Sequence, residues 1–543
     1  MTTMTQQLQK RLMAAAVELF EECRTSPPTV RVEMPSDPKF GDYSTNLAMQ
    51  LAPIVKDGPM RIAEKLKATM GTMPGIATVD VVPPGFINFR VDAAWWPAQP
   101  TAILKAAKDF GAVNIGQGQR VIVEFVSANP TGPIHVGNGR AAFIGDTLAN
   151  VMEQAGYKPF REFYVNNAGN QIDILADSVV RRAFQLQGVK VDYPDELYQG
   201  EYVKDIAKRL HLKQYKVRPP QELRERIKGR VVDLMVAELQ RVMEKKAGVK
   251  YARWFRETEL YEKQKVVKAL DVLRKKGLLY EQDGATWFKT TQFGDDKDRV
   301  VVKSDKSYTY IVPDIALRWD RFAQRRFDRE VILLGADHHS YVSRLKAASA
   351  AIGHPGKIEV ILIQLVRLIS HGQEVKMSKR AGTYVTLEEL IDEVGLDVAR
   401  FFFLMHAANT HMDFDLDLAK EKTDKNPVFY VQYAHARICS ILKKAKAAPL
   451  GSQQPLADPS AVTLVKELLR LPELIEEVAV SYDVHKLPFY AMRLAETFHV
   501  FYSRVRVIDQ GAVNPAALEL VQATKLVLAK TLKLMGVTAP EKM

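Results

Sequence analysis

The chain has 543 residues, 47% apolar and 26% charged, which is ample for several hydrophobic cores; at roughly 100–200 residues per domain, three or four domains are expected. No run of about 18 apolar residues occurs, so neither a helical membrane span nor a membrane partner is expected. Net charge is +12, and the only cysteines, Cys23 and Cys439, are too few for a disulfide framework or a zinc site built on several thiolates; a reducing cytosol is the expected location.

The opening stretch, MTTMTQQLQKRLMAAAVELFEE, has neither a basic leader region nor a small-residue cleavage site. Leu8, Leu12, Ala15 and Leu19 recur on one face of an amphipathic helix. TVRVEM (29–34) reads as extended and is followed by the turn-rich PSDPKFGDYSTNLAMQ (35–50). A helix is predicted near 59–70, and ATVDVV and GFINFRV (77–91) read as strands. Residues 1–95 thus form a small α/β domain, bounded by the proline-bearing DAAWWPAQP (92–100), with 101–119 as a connecting helix and turn.

From 120 to about 375 strand, loop and helix alternate. VIVEFV (121–126) is a buried strand, and RAAFIGDTLANVMEQAG (140–156) is a helix ending at Gly156. FREFYVN (160–166), EVILLGAD (330–337) and, after a helix at about 340–352, KIEVILIQLVRL (357–368) supply further strands. The pattern predicts an α/β fold, a doubly wound parallel (Rossmann-type) sheet over 115–375, with its active site at the carboxyl ends of the strands. A basic helical insertion interrupts it at about 175–290. Residues 203–276 hold about 22 Lys/Arg against about 10 Asp/Glu, which accounts for the whole charge excess. Such a surface binds phosphates through counterion release; it equally describes a solvated helical face, because Arg224, Arg226, Lys228 and Arg230 are interleaved with acids. Residues 376–424 form a connecting region. The remainder, 425–543, is a C-terminal helical bundle, with helical spacing in 426–448, 460–481, 485–507 and 514–536.

Two segments carry chemistry. SANPTGPIHVGNGR (127–140) follows a buried strand and opens a helix. Its glycines let backbone N–H groups and the positive helix end approach a phosphate, and His135 and Asn138 add side-chain donors. Alone, the same loop is also an ordinary strand–helix turn with a capping Asn. GQEVKMSKRAGTYVTLEEL (372–390) places Lys376 and Lys379 three apart in a small-residue loop that suits polyphosphate, or that is merely a solvated basic turn. HxGN early and KMSK late, in that order on a doubly wound chain, form a joint signal for ATP.

This pair resembles the two signatures of class I aminoacyl-tRNA synthetases. EFVSANPTGPIHVGNGR, YVNNAGNQI (164–172), GADHHSYVSRLKAA (335–348), HGQEVKMSKRAGTYVTLEELIDEVGLDVARFFF (371–403) and NPVFYVQYAHAR (426–437) resemble the arginyl-tRNA synthetase family. FGDYSTNLAM (40–49) and PPGFINFRV (83–91) extend the likeness into the N-terminal domain. The resemblance implies that ATP, brought with Mg2+ rather than a metal held in a protein cage, reacts with L-arginine to give arginyl-adenylate and pyrophosphate. The arginyl group then moves to the 2′-OH of the terminal adenosine of tRNA(Arg). It also implies a cytoplasmic monomer. His135 and Asn138 would stabilise the α-phosphate, and Lys376 and Lys379 the leaving pyrophosphate. Gly137, Gly139 and Ser378 would shape the ATP site. Asn138 stands where the family more often has histidine; an amide donates to phosphate but cannot titrate. Gly132 stands where relatives lacking the late lysines have a lysine.

A guanidinium needs carboxylates in fork geometry. The resemblance points to Glu124 and Asp314 as candidates, with Tyr310 lining the side chain and Asn129 holding the amino-acid backbone; Asp337, at another strand end, is a further candidate. Phe86 and Asn88 match positions that touch a base in the tRNA elbow, although Phe86 serves equally as strand core. Tyr433 and Arg437, one helical turn apart, match the anticodon-binding domain, although Tyr430 and Tyr433 could equally be packing residues.

Three alternatives remain. A cysteinyl enzyme needs zinc thiolates that two distant cysteines cannot supply, and a lysyl or glutamyl enzyme would differ in bundle and pocket charge. A small-molecule nucleotidyltransferase needs neither bundle nor basic insertion. A silent RNA-binding relative would not need His135 and the late lysines.

Overall fold

Val121, Ile122 and Val123 are fully buried, as a β-branched run in a parallel sheet requires. They form the middle of β1 (Arg120–Glu124), the central strand of the largest sheet. The other strands are β2 (Lys158–Val165), β3 (Arg253–Arg256), β4 (Arg329–Gly335) and β5 (Ile358–Ile363). Their order is β5-β4-β1-β2-β3 and every pairing is parallel. The chain leaves β1 towards β2 on one side and returns to β4 on the other, so the carboxyl ends of β1 and β4 flank the switch-point crevice. The computed structural model describes residues 3–35, 37–211, 220–375, 386–446, 448–450 and 458–543.

The Val136–Gln154 helix links β1 to β2. It stops where Gly156 takes φ +84°, and a side chain there would strike Asn114. It starts four residues before the expected Arg140, so His135, not an Asn, occupies its N-cap position.

Three other segments differ from the sequence reading. TVRVEM contributes only an isolated bridge, Glu33 to Ser44. KIEVILIQLVRL breaks at Gln364: Ile358–Ile363 is β5, whereas Val366–Ser370 pairs in parallel with Met412–Asp415 in a separate three-stranded sheet. Within 175–290, the Asn170–Gln185, Glu201–Arg209 and Pro220–Arg241 helices are followed by β3, which rejoins the central sheet. Four residues in a charged run are too short to show a period, yet Phe255 is fully buried. Beyond β3, the antiparallel strands Leu279–Gln282, Ala285–Phe288 and Arg299–Val302 make a small sheet. Its first turn, Asp283-Gly284, has positive φ at both residues, as a tight hairpin demands.

At the N-terminus, the Met4–Leu19, Leu47–Val55 and Pro59–Met70 helices accompany a three-stranded antiparallel sheet (Tyr43–Thr45, Phe86–Val91, Ile76–Val82). The C-terminal helices are Pro427–Ala445, Pro459–Ser481, Lys486–Arg504 and Pro515–Leu534. Three open with an Asn or Asp cap followed by Pro (Asn426, Asp458, Asn514), a strong start signal. The bundle holds the N-terminal domain through Lys466–Asp42 (2.5 Å) and the Thr5–Glu473 hydrogen bond, and the connecting helix through Thr101–Glu519 (2.6 Å).

Candidate active site

Where β1 ends, the chain turns sharply: Val126 and Ser127 both take positive φ, +72° and +36°. A β-branched residue in that region is strained, and such strain is kept where a loop must be aimed. The loop then delivers His135, half-buried, to the N-cap of the Val136–Gln154 helix. The Asn138 N–H donates to His135 O (2.9 Å), which sets Asn138 in the first turn beside His135. Gly137 lies against the imidazole: a Cβ there would come within 3.0 Å of His135 Cε1. At Gly139 a Cβ would stand 2.5 Å from Leu387 Cδ1.

That leucine begins the Leu387–Val394 helix, capped by a Thr386/Glu389 capping box. Thr386 bridges to His135, and the Leu387 N–H donates to Ile134 O (2.9 Å). The segment following the late lysine motif is therefore hydrogen-bonded to the early motif. Lys376, Ser378 and Lys379 themselves lie outside the described residues.

The turn is braced from beneath by Arg140. Its guanidinium is fully buried and donates to the carbonyls of Gln364 (2.9 Å), Thr410 (2.8 Å) and Ala407 (2.7 Å). Burial pushes its pKa down to about 10.

Acidic groups gather at the same edge of the sheet. Glu124, at the end of β1, is 5% exposed; it accepts from Ser127 Oγ (2.9 Å) and pairs with Arg321 Nη2 (2.5 Å). Arg321 is fully buried and also contacts Glu162 (2.8 Å) and Glu330. Burial opposes its charge, but Glu124, Glu330 and Glu162 together hold it well above the ordinary guanidinium range. Asp314 sits in the first turn of the Ile311–Trp319 helix and pairs with Arg318 (3.0 Å), which also reaches Glu330 (3.4 Å). Burial raises the Asp314 carboxyl, and the nearby Glu124 raises it further. These two candidates are thus brought together, each already facing an internal arginine.

Sequence reading missed Glu257, just beyond β3. Its carboxylate accepts from Tyr164 Oη (2.9 Å) and Tyr261 Oη (3.4 Å). Among the described residues no Lys or Arg pairs with it, and burial, aided by Asp314, raises its pKa. Tyr164 stands within electrostatic reach of Glu257, Asp314 and Glu124, so the three acids have one ring as a common neighbour. WFRETELYEK carried no sign of this, because Glu257 is one of three glutamates within six residues and only β3's place in the sheet singles it out.

The remaining candidates are more dispersed. Asn129 Nδ2 donates to Gln171 Oε1 (2.7 Å). Tyr310 is 88% exposed, just before the helix that carries Asp314. Asp337, past the end of β4, is exposed beside His338 (3.6 Å).

Known proteins resemble the chain from end to end. Residues 100–423 match the family described as tRNA synthetases class I (R), catalytic domain. Residues 3–91 match the arginyl tRNA synthetase N terminal domain, and 431–543 the DALR anticodon binding domain. The arginine–tRNA ligase of Anoxybacillus flavithermus is 43% identical, covering 99% of each chain. That of Bacillus subtilis is 44% identical, covering 99% of this chain and 98% of its own.

The chain belongs to the class I arginyl-tRNA synthetase family.

Arginyl-tRNA synthetases of Thermus thermophilus and Plasmodium falciparum share the fold. Their TM-scores are 0.77 and 0.76 at 22% and 18% identity, covering 99% and 100% of this chain and 100% of each of theirs. In the region matching the family's N-terminal domain, Phe86 is 37% exposed at a strand start, whereas Asn88 is buried and accepts from Ser44 Oγ (2.6 Å). In the region matching the anticodon-binding domain, Tyr433 is 45% exposed and lies near His499, and the exposed Arg437 stacks over Tyr502 (4.9 Å).

Proposed function

We propose that the chain ligates L-arginine to tRNA(Arg) at the expense of ATP, by way of an arginyl-adenylate and transfer to the 2′-OH of the terminal adenosine. The observation that carries this is the junction at the carboxyl edge of the sheet: the segment after the late lysines is hydrogen-bonded to the HVGN turn, beside three carboxylates that suit a guanidinium. His135 and Asn138 donate to the α-phosphate as charge develops there, with the N–H groups of the helix start behind them. Gly137 leaves room beside the imidazole, Gly139 lets the Leu387–Val394 helix close on the ATP site, and Mg2+ arrives with the nucleotide. Lys376, Ser378 and Lys379 hold the β- and γ-phosphates.

For arginine, we assign Glu124, Asp314 and Glu257 to the guanidinium, Tyr310 to the aliphatic stem, Asn129 to the α-amino and carboxylate groups, and Asp337 to the rim. Among the described residues no Lys or Arg pairs with Glu257, which is half-buried where Asp337 is exposed, so a bound guanidinium relieves it most. Phe86 and Asn88 are assigned to the tRNA elbow, Tyr433 and Arg437 to the anticodon. The division of labour is 1–95 for the elbow, 115–375 for catalysis, 376–424 for connection and 425–543 for the anticodon. A cytoplasmic monomer belongs to the same reading. Among the described residues no helix is long and apolar enough to cross a membrane.

ATP–pyrophosphate exchange, run with and without tRNA(Arg), tests the reading. Exchange should depend on arginine; exchange driven by lysine or cysteine overturns it.

A further inference from the structure

Far from the reacting groups, three parts of the chain meet on one side chain. Arg400, in the Leu396–Leu404 helix, is 2% exposed. Its Nη1 donates to Asp146 Oδ2 (3.0 Å) and to Met535 O (3.1 Å); Nη2 and Nε donate to Ala247 O (2.9 and 3.3 Å). The guanidinium also lies over Phe143 (5.0 Å). Asp146 and Phe143 belong to the helix headed by His135, Ala247 follows the basic helical excursion, and Met535 ends the last helix of the bundle.

One turn away on the same helix, Asp397 takes the residues that follow. It accepts from the Thr538 N–H (3.1 Å), from Thr538 Oγ1 and from Gln432 Nε2 (2.8 Å). Asn150 Nδ2, again on the His135 helix, donates to Leu534 O (2.9 Å). A methyl group added at Gly536 would collide with the Arg400 guanidinium, so the chain end is fitted closely around it.

We propose that Asp397 and Arg400 are positioning residues through which the C-terminal bundle, when it holds tRNA, sets the helix that presents His135. The inference rests on the arginyl-tRNA synthetase reading. Asp146 is eleven residues beyond His135, about 16 Å along a helix, so Arg400 acts through that helix and not on substrate. A planar fork shared among a carboxylate and the carbonyls of two other segments cannot follow one partner without moving the rest, which is what coupling between sites requires. Lysine retains the charge but has neither the fork nor the reach.

The test compares arginylation of full-length tRNA(Arg) with that of a shortened tRNA(Arg) lacking the anticodon arm. The unsubstituted protein, Arg400→Lys and Thr538→Val are each assayed for kcat and KM, with Tm recorded alongside. Thr538→Val removes one hydroxyl near the chain end and leaves the core intact, so it serves if Arg400→Lys folds poorly. The expected result is that the ratio of kcat for full-length to shortened tRNA falls about tenfold in both variants, within the usual span of coupling between sites. The kcat on the shortened tRNA should stay unchanged. Equal slowing on both substrates, or an unchanged ratio in Thr538→Val, overturns the proposal. Failure of the unsubstituted protein to arginylate full-length tRNA(Arg) at all would sink the proposed function and this proposal with it.

Discussion

At the scale of single residues, two side chains make the sharpest demands. On the proposed reading His135 donates to the α-phosphate as charge builds there, so His135→Ala should slow pyrophosphate exchange about 10²–10³-fold. The binding of tRNA, measured by filter retention, should stay near the unsubstituted value; unchanged exchange would remove His135 from the chemistry. Glu257 offers a charge that Tyr164 and Tyr261 only solvate. Glu257→Gln should raise KM for arginine about 10–100-fold, the worth of one hydrogen bond to a charged group, with a smaller effect on kcat. Because burial raises this carboxyl above its ordinary value, it takes up a proton at a higher pH than an exposed glutamate does. Acidification should therefore weaken arginine binding early, and the Gln variant should flatten that part of the KM–pH profile.

At the scale of elements, the active site depends on how closely two helices meet. The Leu387–Val394 helix abuts the HVGN turn because Gly139 has no side chain. Gly139→Ala inserts a methyl group against buried Leu387 and should cost about 1–3 kcal/mol by overpacking. The same wedge displaces the Thr386–His135 bridge, so exchange should fall further than the loss of stability, read by Tm, accounts for. Exchange that remains at the unsubstituted rate would mean the two motifs are not held together through this contact. Arg140 acts from the opposite side. Arg140→Met takes a charged donor from the carbonyls of Gln364, Ala407 and Thr410, hydrogen bonds worth about 1.5–3 kcal/mol each. Cleavage near 407–410 by a protease in limiting amount should quicken, since that loop loses its tie to the sheet.

At the scale of the molecule, the N-terminal domain and the bundle share a titratable contact. Thr5 donates to Glu473, and burial pushes that carboxyl from its ordinary 4.5 up to about 7. An acid with a raised folded-state pKa binds a proton that the unfolded chain has already released. Its stabilising effect is complete below the ordinary carboxyl range and is lost as pH rises through about 7. Stability should fall between pH 5 and 8 by on the order of 2 kcal/mol, as linkage to one carboxyl allows. Glu473→Gln, neutral throughout, should reduce that fall; a thermal-denaturation series across this range checks it, and an identical slope in both proteins would contradict it.

Strand runs such as VIVE, the Asn-Pro and Asp-Pro helix starts, and the two motifs proposed to hold ATP are local in sequence. Backbone propensity and buried periodicity act over a few residues, so these features could be read without coordinates, as could the family and most of the order of elements. Other features depend on which distant segments pack together. β3 is four residues in a charged stretch and becomes a strand only because β2 offers it an edge. Glu257 stands out only because β3 carries it to the edge where Glu124 ends β1. Asn88 is turned inward by Ser44, and the carboxylates expected to await a substrate face Arg318 and Arg321 from the chain itself. Asp314 and Arg318 are one helical turn apart, but the other pairings join residues tens to hundreds of positions apart, and burial rather than any local pattern decides them; only the tertiary structure could settle where these charges lie.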